Sequence, residues 1–490
     1  MRKAIQLRVE NFGLIREAEL EITPLTIFIG DNNSNKSWLS YAIYGIFEGE
    51  ILKRLVDEYL IEKEIEELKN TPFGNFIIDL SNKFSKKNIE QIDLYQELRN
   101  GLINNFLNDL TIFFSKKFVG EMFKLPSYIF DKTNFEIKLS STFRKYLLSF
   151  FYNRSFNIEA SLDEKNSVRL YKEEKNNFLI IETKFSPELP KLYIQRVVIE
   201  VFLNFLRQLF FHRAVSFPSE RKALATLEEH LQIDIDSLEK ILPQHLKQKD
   251  IPYPILLDFF LKKRLSLPKI MKDFIQLVND LGKPSSIQNN SSKLKIALQK
   301  MMGGKIVYEK KSTGYIQFIP EKNSNLSLPV YSTSSLVKSL STFFLFLDKI
   351  AQGKELVIID EPEMNLHPDA QLQFIELLTA FVNMENKFKS ADNFLIITTH
   401  TPYLIDHLEN LIDGFEIENE NKAKVLLLQM EESFISPDKI SCYHFSKEGK
   451  ITSIFNRKKK RFNKFSFSEI GGEILYIEEK LWNMKKKSKK

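Results

Sequence analysis

Apolar and polar residues alternate at the start of the chain. Ile5, Leu7 and Val9 are separated by polar positions, as are Ala18, Leu20 and Ile22, with a turn at Asn11–Gly13 between them. Alternation of period two on both sides of a turn predicts a hairpin-like pair of strands. A short apolar strand, Leu25 to Ile29, follows, then a loop opened by Gly30 and a helix from about Lys36 to Phe47. Residues 50–150 are charged, periodic at 3.6 and poor in Gly and Pro, so they read as helices. Residues 155–185 alternate again, as in SVRLY and FLIIETKF, and predict strands. A helix from about Leu192 to Phe211 leads to a short strand, Ala214 to Phe217, that ends in the loop PSER at 218–221.

The second half repeats these signals. Residues 222–281 read as helical, with breaks near Pro243 and Pro252/Pro254. Strands are expected at 305–309 and 315–319, a helix at about 334–351, and a buried strand at Leu356 to Ile359. A helix at 369–384 leads to another buried strand, Phe394 to Thr398. The last 75 residues predict strands at 424–430, 440–446 and 451–455 and a helix at 468–484. This is not the plain alternation of a doubly wound sheet. It predicts one α/β domain made of a short N-terminal piece and a longer C-terminal piece. A large, mainly helical insertion would interrupt it, and a small α+β region would follow. The expected boundaries are 1–50 for the first part of the α/β domain, 51–213 for the insertion and 214–221 for a core strand and its loop. Beyond these lie a helical segment at 222–302, the second part of the domain at 303–412, and the C-terminal region at 413–490.

Composition adds limits. A chain of 490 residues has room for two or three domains of about 100–200 residues. The single cysteine, Cys442, excludes a disulfide framework and a cysteine zinc site, and a reducing cytoplasmic setting is expected. The longest apolar runs, such as Phe343 to Leu347, are far short of the roughly 18 residues of a membrane span, so no membrane insertion is expected. Net charge is +6, and from Arg457 onward 12 Lys or Arg face 4 Glu. Two runs carry the excess, RKKKR at 457–461 and KKKSKK at 485–490. They read either as a solvated tail or as a contact for DNA or an acidic partner.

Three segments carry chemistry. Gly30-Asp31-Asn32-Asn33-Ser34-Asn35-Lys36-Ser37 lies between an apolar strand and a helix, the setting a phosphate-binding loop needs. Backbone N–H groups turned inward at a helix N-terminus attract anions. Lys36 would reach the β- and γ-phosphates, and the Ser37 hydroxyl would ligate Mg²⁺. The usual pattern has Gly before the Lys. Asn35 tolerates the left-handed backbone required there, but its side chain is expected close to the phosphates, weakening ATP binding or turnover. The second segment, Leu356-Val357-Ile358-Ile359-Asp360-Glu361-Pro362-Glu363, is an apolar strand ending in acids. Asp360 would hold Mg²⁺ and Glu361 would polarise the attacking water. The third, Phe394 to Thr399, is a strand ending at His400, which could hydrogen-bond a γ-phosphate. Arg221 could reach phosphate bidentately, or pair with Glu220 or a neighbouring helix.

GDNNSNKS, IIDEPEMNLHP at 358–368 and TTHTPYLI at 398–405 resemble the ABC-class ATPases. Within them the chain looks most like the RecF, SMC and OLD-type branch, especially the standalone ATPases of prokaryotic phage-defence systems. PSER at 218–221 and Ser332-Thr333-Ser334-Ser335 look like the same branch. The resemblance implies an ABC-ATPase head, a mixed sheet around a phosphate-binding loop with an antiparallel β subdomain, that binds ATP and Mg²⁺ and pairs as a homodimer, with higher oligomers open. In this class the segment matching Ser332–Lys338 is the signature motif. Its Ser334 and Ser335 would contact the γ-phosphate bound by the other subunit, although the family's glycines are missing. Asn365-Leu366-His367-Pro368 resembles the D-loop; the Gln of the Q-loop is not placed. The resemblance further implies a sensor or motor subunit that controls a separate effector, a nuclease or RNase. A DNA-repair ATPase is the alternative. A built-in nuclease is disfavoured, because the residues after His400 hold no Asp-x-Asp pair, and the one such pair in the chain, Asp234 and Asp236, more readily caps a helix.

Overall fold

The computed structural model describes residues 3–84, 87–223, 267–281, 292–308, 316–384, 393–418 and 421–463. The expected hairpin is β1 (Ile5–Phe12) and β2 (Ile15–Ile22), antiparallel with Ile5 opposite Ile22 and Phe12 opposite Ile15. β3 (Leu25–Gly30) follows, then helix α1 (Lys36–Phe47). The region expected to be mainly helical contains the helices Gly49–Asp57, Pro72–Phe84, Leu102–Phe113, Ser141–Tyr152 and Lys191–Gln208. It also contributes strands β4 (Ile89–Ile92), β5 (Asn134–Leu139), β6 (Phe156–Ser161), β7 (Ser167–Lys172) and β8 (Leu179–Lys184). The order β4-β8-β7-β6 makes a separate antiparallel sheet.

β5 departs from the sequence reading. It pairs with the free edge of β1, Ile5 opposite Leu139, and so completes the first antiparallel sheet from within the insertion. Its period-two burial, with Phe135, Ile137 and Leu139 inside, is legible in NFEIKL but is only six residues long between helical segments.

β9 (Arg213–Phe217) and its loop are followed by the described helices Lys269–Leu281 and Ser292–Met302, then β10 (Gly304–Tyr308), β11 (Ile316–Pro320) and β12 (Leu328–Pro329). The helix Ser335–Lys349, β13 (Glu355–Asp360), the helix Pro368–Asn383, β14 (Phe394–Thr399), the helix Pro402–Glu416, β15 (Ile440–Phe445) and β16 (Ile451–Ser453) complete the walk. The central sheet has the order β16-β15-β3-β14-β13-β9, parallel throughout except for β16. Alternate residues feed two cores, as the pleat requires. Phe28, Leu356, Ile358, Phe394 and Ile396 face the β1–β2–β5 sheet and the insertion. Ile27, Ile29, Val357, Ile359, Leu395 and Ile397 face the helices Ser335–Lys349, Pro368–Asn383 and Pro402–Glu416.

The C-terminal region is less separate than expected. β15 lies parallel to β3, Ile440 opposite Leu25 and Phe445 opposite Gly30, so residues beyond 412 complete the sheet beside the loop. The strand expected at 424–430 is not formed: a 3₁₀ turn, Lys422–Val425, precedes an unpaired stretch. The carboxylate of buried Glu376 takes the N–H groups of Leu427 (3.0 Å) and Leu428 (2.7 Å), replacing the partner strand these donors would need.

Within RKKKR, three cations are engaged by the protein's own acids: Arg457 with Glu21, Lys460 with Glu416, and Arg461 with Asp413. The expected helix at 468–484, the run at 485–490, Asp234, Asp236 and the proline breaks near 243–254 lie outside the described residues. Among the described residues, no helix is long and apolar enough to cross a membrane.

Candidate active site

β3 is buried along nearly its whole length and delivers Gly30 to the sheet edge with φ 143°. A Cβ at Gly30 would lie 2.1 Å from the carbonyl oxygen of Phe445, so β15 itself demands glycine there. The loop turns through Asn33 (φ 60°) and Asn35 (φ 67°) into α1. Asn35 is the N-cap residue but makes no side-chain cap, which leaves the helix start without the usual internal acceptor.

The Asn35 side chain has a partner in the β1–β2 turn. Its Nδ2 donates to the Phe12 carbonyl at 3.1 Å and lies where a Cβ of Gly13 would be, 1.8 Å from that position. The carboxamide therefore braces the loop against the β1–β2 turn, and the bare α-carbon of Gly13 makes room for it. Asn35→Gly restores the common pattern but removes this brace, which is worth about 1 kcal/mol. Nucleotide affinity is expected to stay level or fall by up to about fivefold. A fluorescent-nucleotide titration checks this; a tenfold gain in affinity would mean that the side chain does obstruct the phosphates.

Lys36 is buried, and its Nζ donates to the carbonyls of Gly30 (3.1 Å) and Asp31 (2.5 Å) and to Ser34 Oγ (3.3 Å). Burial lowers its pKa to about 8, against the opposing pull of Glu361 and Asp360. Ser37 Oγ donates to Asp360 Oδ1 at 2.7 Å. Tyr41, one turn further along α1, donates to Asp360 Oδ2 at 2.7 Å, and Thr398 Oγ1 also bonds Oδ1. Both oxygens of a carboxylate at the buried end of β13 are thus aimed by donors from α1 and β14.

The next residue, Glu361, has φ 46°, and its N–H donates to both the carbonyl and the hydroxyl of Thr398, each at 3.1 Å. Its carboxylate lies 3.4 Å from His400 Nε2, and hydrogen bonding to that ring holds its pKa below the usual carboxylate range. Glu363 Oε1 accepts from Thr399 Oγ1 (2.6 Å) and from the His400 N–H (2.8 Å), fixing the backbone at the end of β14. Burial pushes the Glu363 pKa up.

The three segments therefore meet. Asn32, Asn33, Ser34, Asn35, Lys36, Ser37 and Trp38 line one cavity of about 900 Å³ together with Glu361 and His400. Gly30 and Asp360 stand behind its wall, through the Lys36 and Ser37 bonds. Ser334 and Ser335 are not among its lining residues. Both are exposed at the start of the helix Ser335–Lys349, where Ser334 Oγ accepts from the Val337 N–H at 3.4 Å and Ser335 Oγ from Lys222 Nζ at 3.1 Å.

Arg221 meets the neighbouring helix Ser335–Lys349 at Ser339 Oγ, as one of its expected alternatives had it, and its guanidinium also holds backbone carbonyls at the end of β13. Sequence reasoning also passed over Tyr41, Thr398 and Glu363. Tyr41 was reachable, since it lies four residues after Ser37 on one helical face. The oxygen pair offered by Ser37 and Asp360 suits a hard cation such as Mg²⁺.

A glycine-led loop at a helix N-terminus, facing one strand that ends in acids and another that ends in histidine, defines a phosphate-loop nucleotide-binding protein. The chain matches the AAA ATPase domain family over residues 3–405 and belongs to that family. It matches no curated protein. Among solved structures it is similar to the SMC head domain from Thermotoga maritima, at 12% identity over 83% of this chain and 92% of that one, with a TM-score of 0.29. It is also similar to the recombination mediator protein RecF-ATPrS of the RecFOR pathway, at 10% identity over 92% of this chain and 99% of that one, with a TM-score of 0.30.

Proposed function

We propose that this protein is an ABC-class ATPase that hydrolyses ATP to ADP and phosphate, with Mg²⁺, at half-sites completed by a second copy of the chain. The observation that carries the reading is the convergence of Lys36, Glu361 and His400 on one cavity, with Ser37 bonded to Asp360 behind them. Lys36 exchanges its loop carbonyls for β- and γ-phosphate oxygens, and the first-turn N–H groups of α1 hold the remaining negative charge. Ser37 and Asp360 would hold Mg²⁺, which would neutralise charge on the phosphate oxygens. Glu361, kept ionised by His400, orients a water for in-line attack and takes its proton as the bond to the ADP oxygen breaks. His400 stands at the γ-phosphate end of the cavity and carries loss of that group to the Glu363-anchored end of β14.

Exposure of Ser334 and Ser335 at a helix N-terminus, outside the chain's own cavity, supports their use on the nucleotide of a second copy. The biological output we assign is ATP-gated control of a separate effector in a prokaryotic, anti-phage setting; DNA repair is the alternative for the same site. A built-in metal nuclease has less support. Among the described residues, Glu58, Glu62 and Glu64 are the one acidic group close enough to share an ion, and Lys117 bonds all three, at 3.5, 2.5 and 2.8 Å.

Phosphate release by the purified protein is the test. Turnover of ATP is expected with Mg²⁺ and is expected to stop on chelation. No release at any Mg²⁺ concentration, with nucleotide bound, would remove hydrolysis from the proposal.

A further inference from the structure

Arg221 lies behind the cavity and is only 3% exposed. Nη1 donates to the Asp360 carbonyl at 2.7 Å and to the Pro218 carbonyl at 3.2 Å. Nη2 donates to the Glu361 carbonyl at 3.0 Å and to Ser339 Oγ at 3.3 Å. The backbone it grips is unusual. A non-glycine residue at φ 46° is disfavoured and persists only where its surroundings over-determine it. Here they do: Thr398 holds the N–H of Glu361 from one side, and Arg221 holds its carbonyl and the preceding one from the other.

We infer that Arg221 is the positioning residue for Glu361, holding it left-handed so that its carboxylate enters the cavity, and that it links this carboxylate to the helix Ser335–Lys349. The inference rests on the reading of Glu361 as the group that takes the proton from water. The planar fork suits the task, since two nitrogens serve four acceptors in three chain segments. A lysine has one nitrogen and cannot span them. The link runs on to the helix start, because Lys222, the next residue, donates to Ser335 Oγ. Residues 221 and 222 thus fasten one helix at Ser335 and Ser339, and Arg221 fastens the carbonyls of the two acids at the end of β13. A shift of that helix, when its exposed N-terminus meets the nucleotide of a second copy, is delivered to the Glu361 carbonyl.

The test compares wild type, Arg221→Lys, Glu361→Gln and the double variant, by fluorescent-nucleotide affinity, single-turnover hydrolysis and circular dichroism. Arg221→Lys is expected to slow hydrolysis by about 10–100-fold, the scale of a small misplacement of a reacting group, with nucleotide affinity within about threefold of wild type. In the Glu361→Gln background the same change is expected to alter the residual rate less than about twofold, because the two residues act as one unit. An unchanged rate in a folded Arg221→Lys protein overturns the inference, as does an equal loss in the Glu361→Gln background. If Arg221→Lys does not fold, Ser339→Ala, which removes a single Nη2 contact, takes its place. It is expected to slow hydrolysis about threefold at constant affinity, and no slowing overturns the inference. A wild type that binds but hydrolyses nothing sinks the ATPase reading and this one with it. An active wild type with normal Arg221→Lys kinetics sinks this one alone.

Discussion

Lys36→Ala is expected to abolish measurable nucleotide binding, with affinity for ATP falling by at least about 100-fold. Among the described residues the Lys36 ammonium is the one Lys or Arg cation lining the cavity, and the groups around it are anionic or electron-rich: Glu361 in the cavity, Asp360 behind it, and the carbonyls of Gly30 and Asp31. With the ammonium in place, those carbonyls point at a positive charge. Without it, they and Glu361 face the triphosphate directly, so the loss includes both an absent attraction and an exposed repulsion. Charge-assisted hydrogen bonds contribute about 1.5–3 kcal/mol each, and two to the phosphates already account for two to four decades of affinity. The fold is expected to survive, since the side chain bonds only to its own loop. Fluorescent-nucleotide titration with circular dichroism checks both points, and retained affinity in a folded variant would refute the placement of the phosphates on α1.

The segments that line the candidate site were more legible in the sequence than the long-range contacts that join them, for a physical reason. Residues 30–37, 356–361 and 394–400 are each short, continuous segments in which the strand, the turn and the functional group are adjacent, so local pattern suffices. α1, predicted from Lys36 to Phe47, has those bounds. What joins those segments is not local. β5 reaches β1 across more than a hundred residues, and β15 reaches β3 across more than four hundred, and nothing in NFEIKL or ISCYHF names the partner. Tertiary hydrogen bonding hid the rest. The stretch after Val425 has strand-like residues, but the Glu376 carboxylate satisfies its donors from the side. The sequence does not show the hydrogen-bond partner of Asn35, because the Phe12 carbonyl sits on a turn more than twenty residues earlier. Arg221 illustrates the same gap: two of its four acceptors are backbone atoms 139 and 140 residues away, and backbone leaves no mark in the side-chain pattern.

Glu361→Gln is expected to keep ATP bound, slow its hydrolysis by at least about 100-fold, and hold two copies of the chain together. The substitution is nearly isosteric, so the left-handed backbone, its bonds to Thr398 and its bonds to Arg221 remain. What changes is charge. An ionised carboxylate beside His400 can take a proton from water, and an amide cannot; positioned general bases contribute about 10²–10⁴-fold. Removing a negative charge from the wall that faces the triphosphate also relieves repulsion, so affinity is expected to rise or hold while turnover falls. The uncleaved γ-phosphate would then stay available to Ser334 and Ser335 of a second copy, and dissociation, which waits on hydrolysis, would slow. Light scattering during size exclusion checks this directly: mass doubles with ATP and Mg²⁺ and returns to the single chain with ADP. Tight ATP binding without any increase in mass would separate the two halves of the proposal, leaving the cavity as a nucleotide site and removing the role given to the helix that starts at Ser335.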